Sequence, residues 1–199
     1  MKIIGITGGV GSGKSRVLTY IEETYSARIC QADQVAWELQ KPGARCYLEI
    51  VEQFGTQILQ EDGTIDRKAL GQIVFADAQA LAQLNGIMHP AVKQAIRMQI
   101  KEASDRGERL FVIEAALLLE ENYDAICDEV WYIYSDEEHR RMRLKESRGY
   151  TDEKIDAMMA SQLSEEVFRQ RCGRVIENSG SFDRTCEQIT KALETIGEV

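Results

Sequence analysis

The octapeptide Gly8-Gly9-Val10-Gly11-Ser12-Gly13-Lys14-Ser15 constrains this chain more than any other stretch. It follows an apolar run (Ile3, Ile4, Ile6) and precedes a helix-competent segment, Arg16 to Tyr25, so the order reads strand, glycine loop, helix. The spacing Gly8-x4-Gly13-Lys14-Ser15 is that of a phosphate-binding loop. Glycines let backbone N–H groups converge on phosphate oxygens without side chains in the way. A helix beginning at about Lys14 adds the positive end of its dipole. Lys14 is expected to reach the β- and γ-phosphates, and the Ser15 hydroxyl to ligate Mg²⁺. With glycine at about 7% of residues, chance would produce the pattern in on the order of one chain in a hundred of this length.

The 199 residues suffice for one α/β domain with insertions. A net charge of −9 argues against a broad nucleic-acid-binding surface, which needs a basic face. The N-terminal apolar run ends too early for a signal peptide, and no stretch approaches the roughly 20 apolar residues of a membrane span. Five cysteines (Cys30, Cys46, Cys127, Cys172, Cys186), with no C-x-x-C pair, and two distant histidines favour neither a disulfide framework nor a local zinc site. A cytoplasmic protein with neutral thiols is expected.

Ala27-Arg28-Ile29-Cys30 reads as a second strand ending at Gln31-Ala32-Asp33. Asp33 then stands either at the ligand-binding edge of a parallel sheet or as a plain N-cap for a helix over Gln34–Gln40. From Pro42 to about Arg106 the periodicity is helical. Asp66 is placed to cap a helix carrying Leu70, Ile73 and Val74, and Pro90 to open another through Val92, Ile96 and Ile100, with His89 at its start. About sixty helical residues between two strands exceed what a crossover needs and read as a substrate-binding insert. Leu110-Phe111-Val112-Ile113 and Val130–Tyr134 are buried-strand runs. Glu114, closing the first, is either a Mg²⁺-binding acid or a solvated strand end. Ser135-Asp136-Glu137-Glu138 predicts a capping box, and Gly149 the end of that helix. This helix carries Arg140, Arg141, Arg143, Lys145 and Arg148. Beside a triphosphate site, a basic mobile lid outweighs a merely solvated face. One helix through Ile155, Met158, Met159 and Leu163, a last strand at Val175-Ile176, and a final helix capped by Ser181 complete the pattern.

Together these segments resemble the dephospho-coenzyme A kinase family over nearly the whole chain. The resemblance rests on Ile4–Ser15, Ala32-Asp33, Asp62-Gly63-Thr64-Ile65-Asp66-Arg67, Val74-Phe75, His89-Pro90, Leu117-Leu118-Leu119-Glu120, Arg143-Leu144, Gln162 and Ile176-Glu177-Asn178-Ser179-Gly180. It implies a three-layer P-loop kinase fold with a mostly parallel sheet of about five strands. The core would span about 1–34, 107–135 and 174–199, with a helical substrate-binding insert at about 35–106 and a lid at about 136–173. It implies transfer of the γ-phosphate of ATP, with Mg²⁺, to the 3′-hydroxyl of dephospho-coenzyme A.

By the same resemblance, Asp33, Lys14 and Arg143 are catalytic. Gly9, Val10, Gly11, Ser12, Gly13, Lys14, Ser15, Arg16, Arg148 and Asn178 bind the nucleotide, Ser15 also the metal. Thr7, Asp33, Arg67, His89 and Leu117 contact the acceptor. The chain departs from the family pattern at Gln31 (usually Asp), Arg16 (usually Thr), Ala116 (usually Pro) and Gly173 (usually Asp). An alcohol is about as weak an acid as water, near 15.7, roughly 12 units above an unperturbed carboxylic acid. A carboxylate at the acceptor therefore orients the hydroxyl and takes its proton late. The alternatives are another P-loop kinase with a different acceptor, or a nucleotide-dependent switch. A GTPase switch would carry an Asn-Lys-x-Asp segment, which this sequence lacks.

Overall fold

In a computed structural model, which describes residues 1–197, the run before the glycine loop becomes the middle strand of a five-stranded sheet. The strands are β1 (Lys2–Thr7), β2 (Arg28–Gln31), β3 (Leu110–Glu114), β4 (Glu129–Tyr134) and β5 (Arg174–Glu177), in the order β2-β3-β1-β4-β5. β1 pairs in parallel with β3 on one side, Ile6 opposite Glu114, and with β4 on the other, Thr7 opposite Tyr132. β4 pairs in parallel with β5. Strands covered on both faces need continuous apolar runs, and Ile4, Ile6, Val112, Ile113, Trp131 and Ile133 are buried accordingly. The chain leaves β1 toward β2 and leaves β3 toward β4, so the connections diverge at the C-terminal ends of two neighbouring strands. In open parallel sheets that divergence forms the ligand crevice.

The described residues hold nine α-helices. α1 (Lys14–Tyr25) and α9 (Phe182–Thr195) bury Val17, Leu18, Ile21, Ile189 and Leu193 in one cluster with Ile4, Ile6, Trp131 and Ile176. On the opposite face of β1, Gly5 leaves room for Leu118 and Cys127; an added Cβ would lie 2.9 Å from the Cys127 sulfur. Burial pushes that thiol up to about 12, which leaves it a neutral packing group. All five cysteines are free thiols. No helix of the described residues is long and apolar enough to cross a membrane.

The chain divides into two compact units: Met1–Ile29 with Ala103–Val199, and Cys30–Glu102. Glu198 and Val199, the end of the core span read from the sequence, lie outside the described residues. The second unit holds α2 (Ala32–Glu38), α3 (Arg45–Phe54), α4 (Arg67–Ala76) and most of α5 (Ala78–Asp105). Asp66 caps α4 as read, accepting from the Lys68 and Ala69 amides at 2.8 and 3.1 Å.

Four local readings change. α5 runs unbroken through Pro90, so His89 is mid-helix and not at a helix start. The proline ring presses on the carbonyl four residues earlier, here Gly86, whose backbone yields most easily, while buried Met88, Val92 and Ile96 hold both halves in place. α6 (Glu137–Arg148) is capped by Asp136, not Ser135: the Asp136 carboxylate accepts from the His139 amide at 2.9 Å, whereas Ser135 is buried and accepts from Arg143. The helix read through Leu163 breaks into α7 (Asp152–Ala160) and α8 (Glu165–Arg171), because Ser164 starts a new cap on the Val167 amide. Ser181 occupies the N-cap position of α9 without a side-chain capping bond.

Candidate phosphate-binding site

Six residues, Gly8 to Gly13, join β1 to α1. Gly13 caps α1 with φ 87°, a left-handed conformation that turns the chain into the helix and aims the first-turn amides at the loop. The Lys14 ammonium folds back over this loop, donating to the Gly8 carbonyl at 2.7 Å and to Gly9 at 3.4 Å. Two hydroxyls beside it, Thr7 Oγ1 and Ser12 Oγ, are buried without a hydrogen-bond partner. An orphaned buried hydroxyl costs about 1–3 kcal/mol. Loop amides, a lysine and unsatisfied hydroxyls form the donor set an oxyanion requires.

Side chains from distant segments fix the loop's shape. The Arg140 Nε donates to the Val10 carbonyl at 2.8 Å. Arg143 donates to the Ser12 carbonyl at 3.2 Å and to the Asn178 carbonyl at 2.6 Å. Buried Asn178 donates from Nδ2 to the Ser12 carbonyl at 2.7 Å and accepts from the Thr185 hydroxyl at 3.0 Å. These contacts set a second requirement for two of the glycines. A Cβ at Gly9 would stand 2.5 Å from the Arg140 guanidinium, and one at Gly13 2.4 Å from Asn178 Nδ2. Replacing Asn178 by Ala leaves the groups it bonds under-satisfied and is expected to cost about 1–3 kcal/mol. Thermal unfolding should report this as a midpoint several degrees lower; an unchanged midpoint would remove Asn178 from the loop's support.

The five cations of α6 do different work. Arg140 and Arg143, three residues apart and so on one helix face, meet the loop. Arg141 pairs with Glu137 at 2.7 Å and with Asp156, and Lys145 with Asp152 at 2.7 Å, tying α6 to α7. Arg148, at the other end of α6 and about 12 Å along it from Arg140, lies against the Tyr150 ring; its hydrogen bond holds that phenol below its usual range. Arg16 lies 3.8 Å over the Phe182 ring at the start of α9. Leu117, after β3, is half exposed. Arg140 and Gln162 are loop contacts that the sequence reading did not name as site residues: it counted Arg140 only among the lid cations and Gln162 only among the family motifs. The i,i+3 spacing puts Arg140 on one helix face with Arg143, but Lys145 and Arg148 share that spacing, so it does not single Arg140 out.

The donors fit a magnesium ion that arrives with a nucleotide. Ser15 stands exposed in the first turn of α1, and Glu114 ends β3 in register with Ile6, at the strand end bordering the loop. No cluster of three or more His, Cys, Asp or Glu able to cage a metal exists among the described residues. One hydroxyl and one carboxylate suit Mg²⁺, which keeps most of its shell as water and phosphate oxygen.

In the second unit, Asp33 is the second residue of α2 and is exposed; Gln31 holds the N-cap position, so Asp33 is not that helix's N-cap. A cavity of about 700 Å³ opens in the same unit, lined among others by Trp37, Gln40, Lys41, Ile65, Arg67 and Lys68. Lys41 sits 3.9 Å over the Trp37 ring. His89 is half-buried on α5.

Comparison with known proteins agrees with this geometry. The family model for dephospho-CoA kinase (CoaE) matches residues 2–184. A dephospho-CoA kinase of Symbiobacterium thermophilum is 38% identical over 192 residues, covering 96% of this chain and 80% of that protein. The crystal structure of TT1252 from Thermus thermophilus superposes with a TM-score of 0.82 at 28% identity, covering 98% of this chain and 97% of the other. The dephospho-CoA kinase from Campylobacter jejuni gives 0.73 at 25% identity, over 100% and 98%. The chain belongs to the dephospho-CoA kinase family and is a kinase of the P-loop fold.

Proposed function

We propose that this kinase transfers the γ-phosphate of ATP to the 3′-hydroxyl of dephospho-coenzyme A, giving coenzyme A and ADP. The observation that carries the donor half is the β1–α1 loop with Lys14 folded over it and Arg140 and Arg143 braced against it. A phosphoryl group in flight spreads charge over its oxygens, and fixed donors stabilise it without reorganising. Lys14 and the first amides of α1 supply that field, with Arg143 holding the Ser12 carbonyl in place. Ser15, with Glu114 at the end of β3, would hold Mg²⁺. That ion supplies neutralisation of charge on the β- and γ-phosphates. Thr7 contributes a buried hydroxyl facing no protein partner, and Asn178 and Arg16 flank the nucleotide side.

For the acceptor half, Asp33 and Trp37 follow the i, i+4 spacing of one face of α2, and Gln40 lies just past the end of that helix. Asp33 orients the hydroxyl and receives its proton late in the transfer. The cavity beyond it combines Trp37 and Ile65 with Lys41, Arg67 and Lys68, while its single carboxylate, Asp66, is engaged by helix amides. This balance suits a diphosphate joined to a long amide arm. His89 and Leu117 are the remaining acceptor contacts of this reading. Residues 35–106 serve as the acceptor-binding insert and 136–173 as the lid, in a cytoplasmic enzyme that acts on small molecules and not on nucleic acid.

A coupled ADP-release assay comparing dephospho-coenzyme A with adenosine, AMP and shikimate tests the assignment. Dephospho-coenzyme A should give the highest kcat/KM; activity confined to one of the others overturns it. The lid reading has its own test. Hydrogen exchange across residues 138–163 should slow when ATP and acceptor bind together. Unchanged exchange would leave α6 and α7 a fixed charged face.

A further inference from the structure

The Val10 backbone is held at both ends by side chains that also hold each other. Its N–H donates to Gln162 Oε1 at 3.1 Å, and its carbonyl accepts from Arg140 Nε at 2.8 Å. Arg140 Nη2 closes the ring by donating to the same Gln162 Oε1 at 2.9 Å. Gln162 lies in the link between α7 and α8, 152 positions from Val10, and its own amide is tied to the Met159 carbonyl at 3.2 Å. The guanidinium occupies the space beside Gly9, where an added Cβ would stand 2.5 Å from Nη2.

We propose that Gln162 is a positioning residue for phosphoryl transfer, acting through Arg140 and Val10. A guanidinium has five donors in one rigid plane. Two of them are committed, one to a loop carbonyl and one to Gln162, and two fixed points in a plane fix its orientation. Without Gln162 the plane pivots about the single Nε bond, and the Val10 amide loses its acceptor. Arg140 would then lose its setting beside Gly9, and with it the charge it presents to the donor phosphates. Only an acceptor with two open lone pairs serves both donors, which is why an amide oxygen stands there. The inference rests on the donor half of the proposed reaction and not on the identity of the acceptor.

The test is a double-mutant cycle with Gln162→Met, which keeps the bulk and removes the acceptor, and Arg140→Lys, which cannot form the ring. Gln162→Met should lower kcat by about ten- to a hundredfold, the scale of small misplacements at a reacting centre. The KM for dephospho-coenzyme A should not move, and the thermal midpoint should fall by no more than the few degrees that two under-satisfied donors cost. Kd for ATP, measured with nucleotide alone, should rise severalfold, and this readout survives even if the acceptor proves to be another molecule. Gln162→Glu, which keeps both acceptor positions, should restore most of the loss. The double variant should be no slower than Arg140→Lys alone, because both changes break one ring. Unchanged kcat and ATP affinity in Gln162→Met, no recovery in Gln162→Glu, or losses that multiply in the double variant would each overturn the proposal. Should Gln162→Met fail to fold, Gln162→Asn, too short to reach both donors, carries the same expectations.

Discussion

Lys14→Ala is expected to lower kcat by at least about a thousandfold, roughly 4 kcal/mol of transition-state stabilisation. The ammonium has two tasks that one substitution removes together. It donates to the Gly8 and Gly9 carbonyls, bracing the loop across its mouth. It also carries a positive charge from the first turn of α1, where a β/γ-phosphate pair settles. A steady-state assay at saturating ATP, run beside a thermal melt, separates the two tasks. Loss of turnover with a nearly unchanged midpoint assigns the effect to the phosphates. A kcat within tenfold of wild type would remove Lys14 from the chemistry.

Asp33→Asn should cut kcat by about two to four orders of magnitude, the usual worth of a positioned proton acceptor, with ATP affinity little changed. The structure makes this a clean substitution. Asp33 is exposed, is not the cap of α2, and is replaced by a residue of the same shape. The folding cost is confined to a carboxylate lost from a helix N-terminus, about 0.3–1 kcal/mol. Isothermal titration with ATP and steady-state kinetics with dephospho-coenzyme A give the two numbers needed. If ATP affinity fell while kcat held, Asp33 would belong to the architecture and not to the acceptor.

The arginines show where sequence reading stops. A run of five cations on one predicted helix, in an acidic protein, was enough to locate a basic element next to a phosphate loop. It was not enough to divide the labour among them. Arg141 and Lys145 are neutralised by Asp152, Asp156 and Glu137, and Arg148 is paired with Tyr150. Arg140 and Arg143 donate to loop carbonyls instead. Ion-pair choice depends on which acids the next helix presents, and Asp152 and Asp156 are set opposite α6 by how α7 packs on it rather than by composition. The same holds for Pro90. Local propensity favours a helix boundary there, while burial on both sides carries α5 through it.

By itself the sequence determined the loop from Gly8 to Ser15, its place between a strand and a helix, and the Asp66 cap. Each is a contract among residues close in the chain, enforced by backbone sterics and local hydrogen bonds. It also carried the family, through motifs spread from Ile4 to Gly180. The tertiary structure alone decided what surrounds the loop. Two glycines that a phosphate argument explains are required as well by Arg140 beside Gly9 and Asn178 against Gly13, partners more than 130 positions away. Gln162 acquires its place in the same manner. Contacts across such separations have no local signature, because the chain between them can be threaded in many ways and only the packed sheet brings their ends to one point.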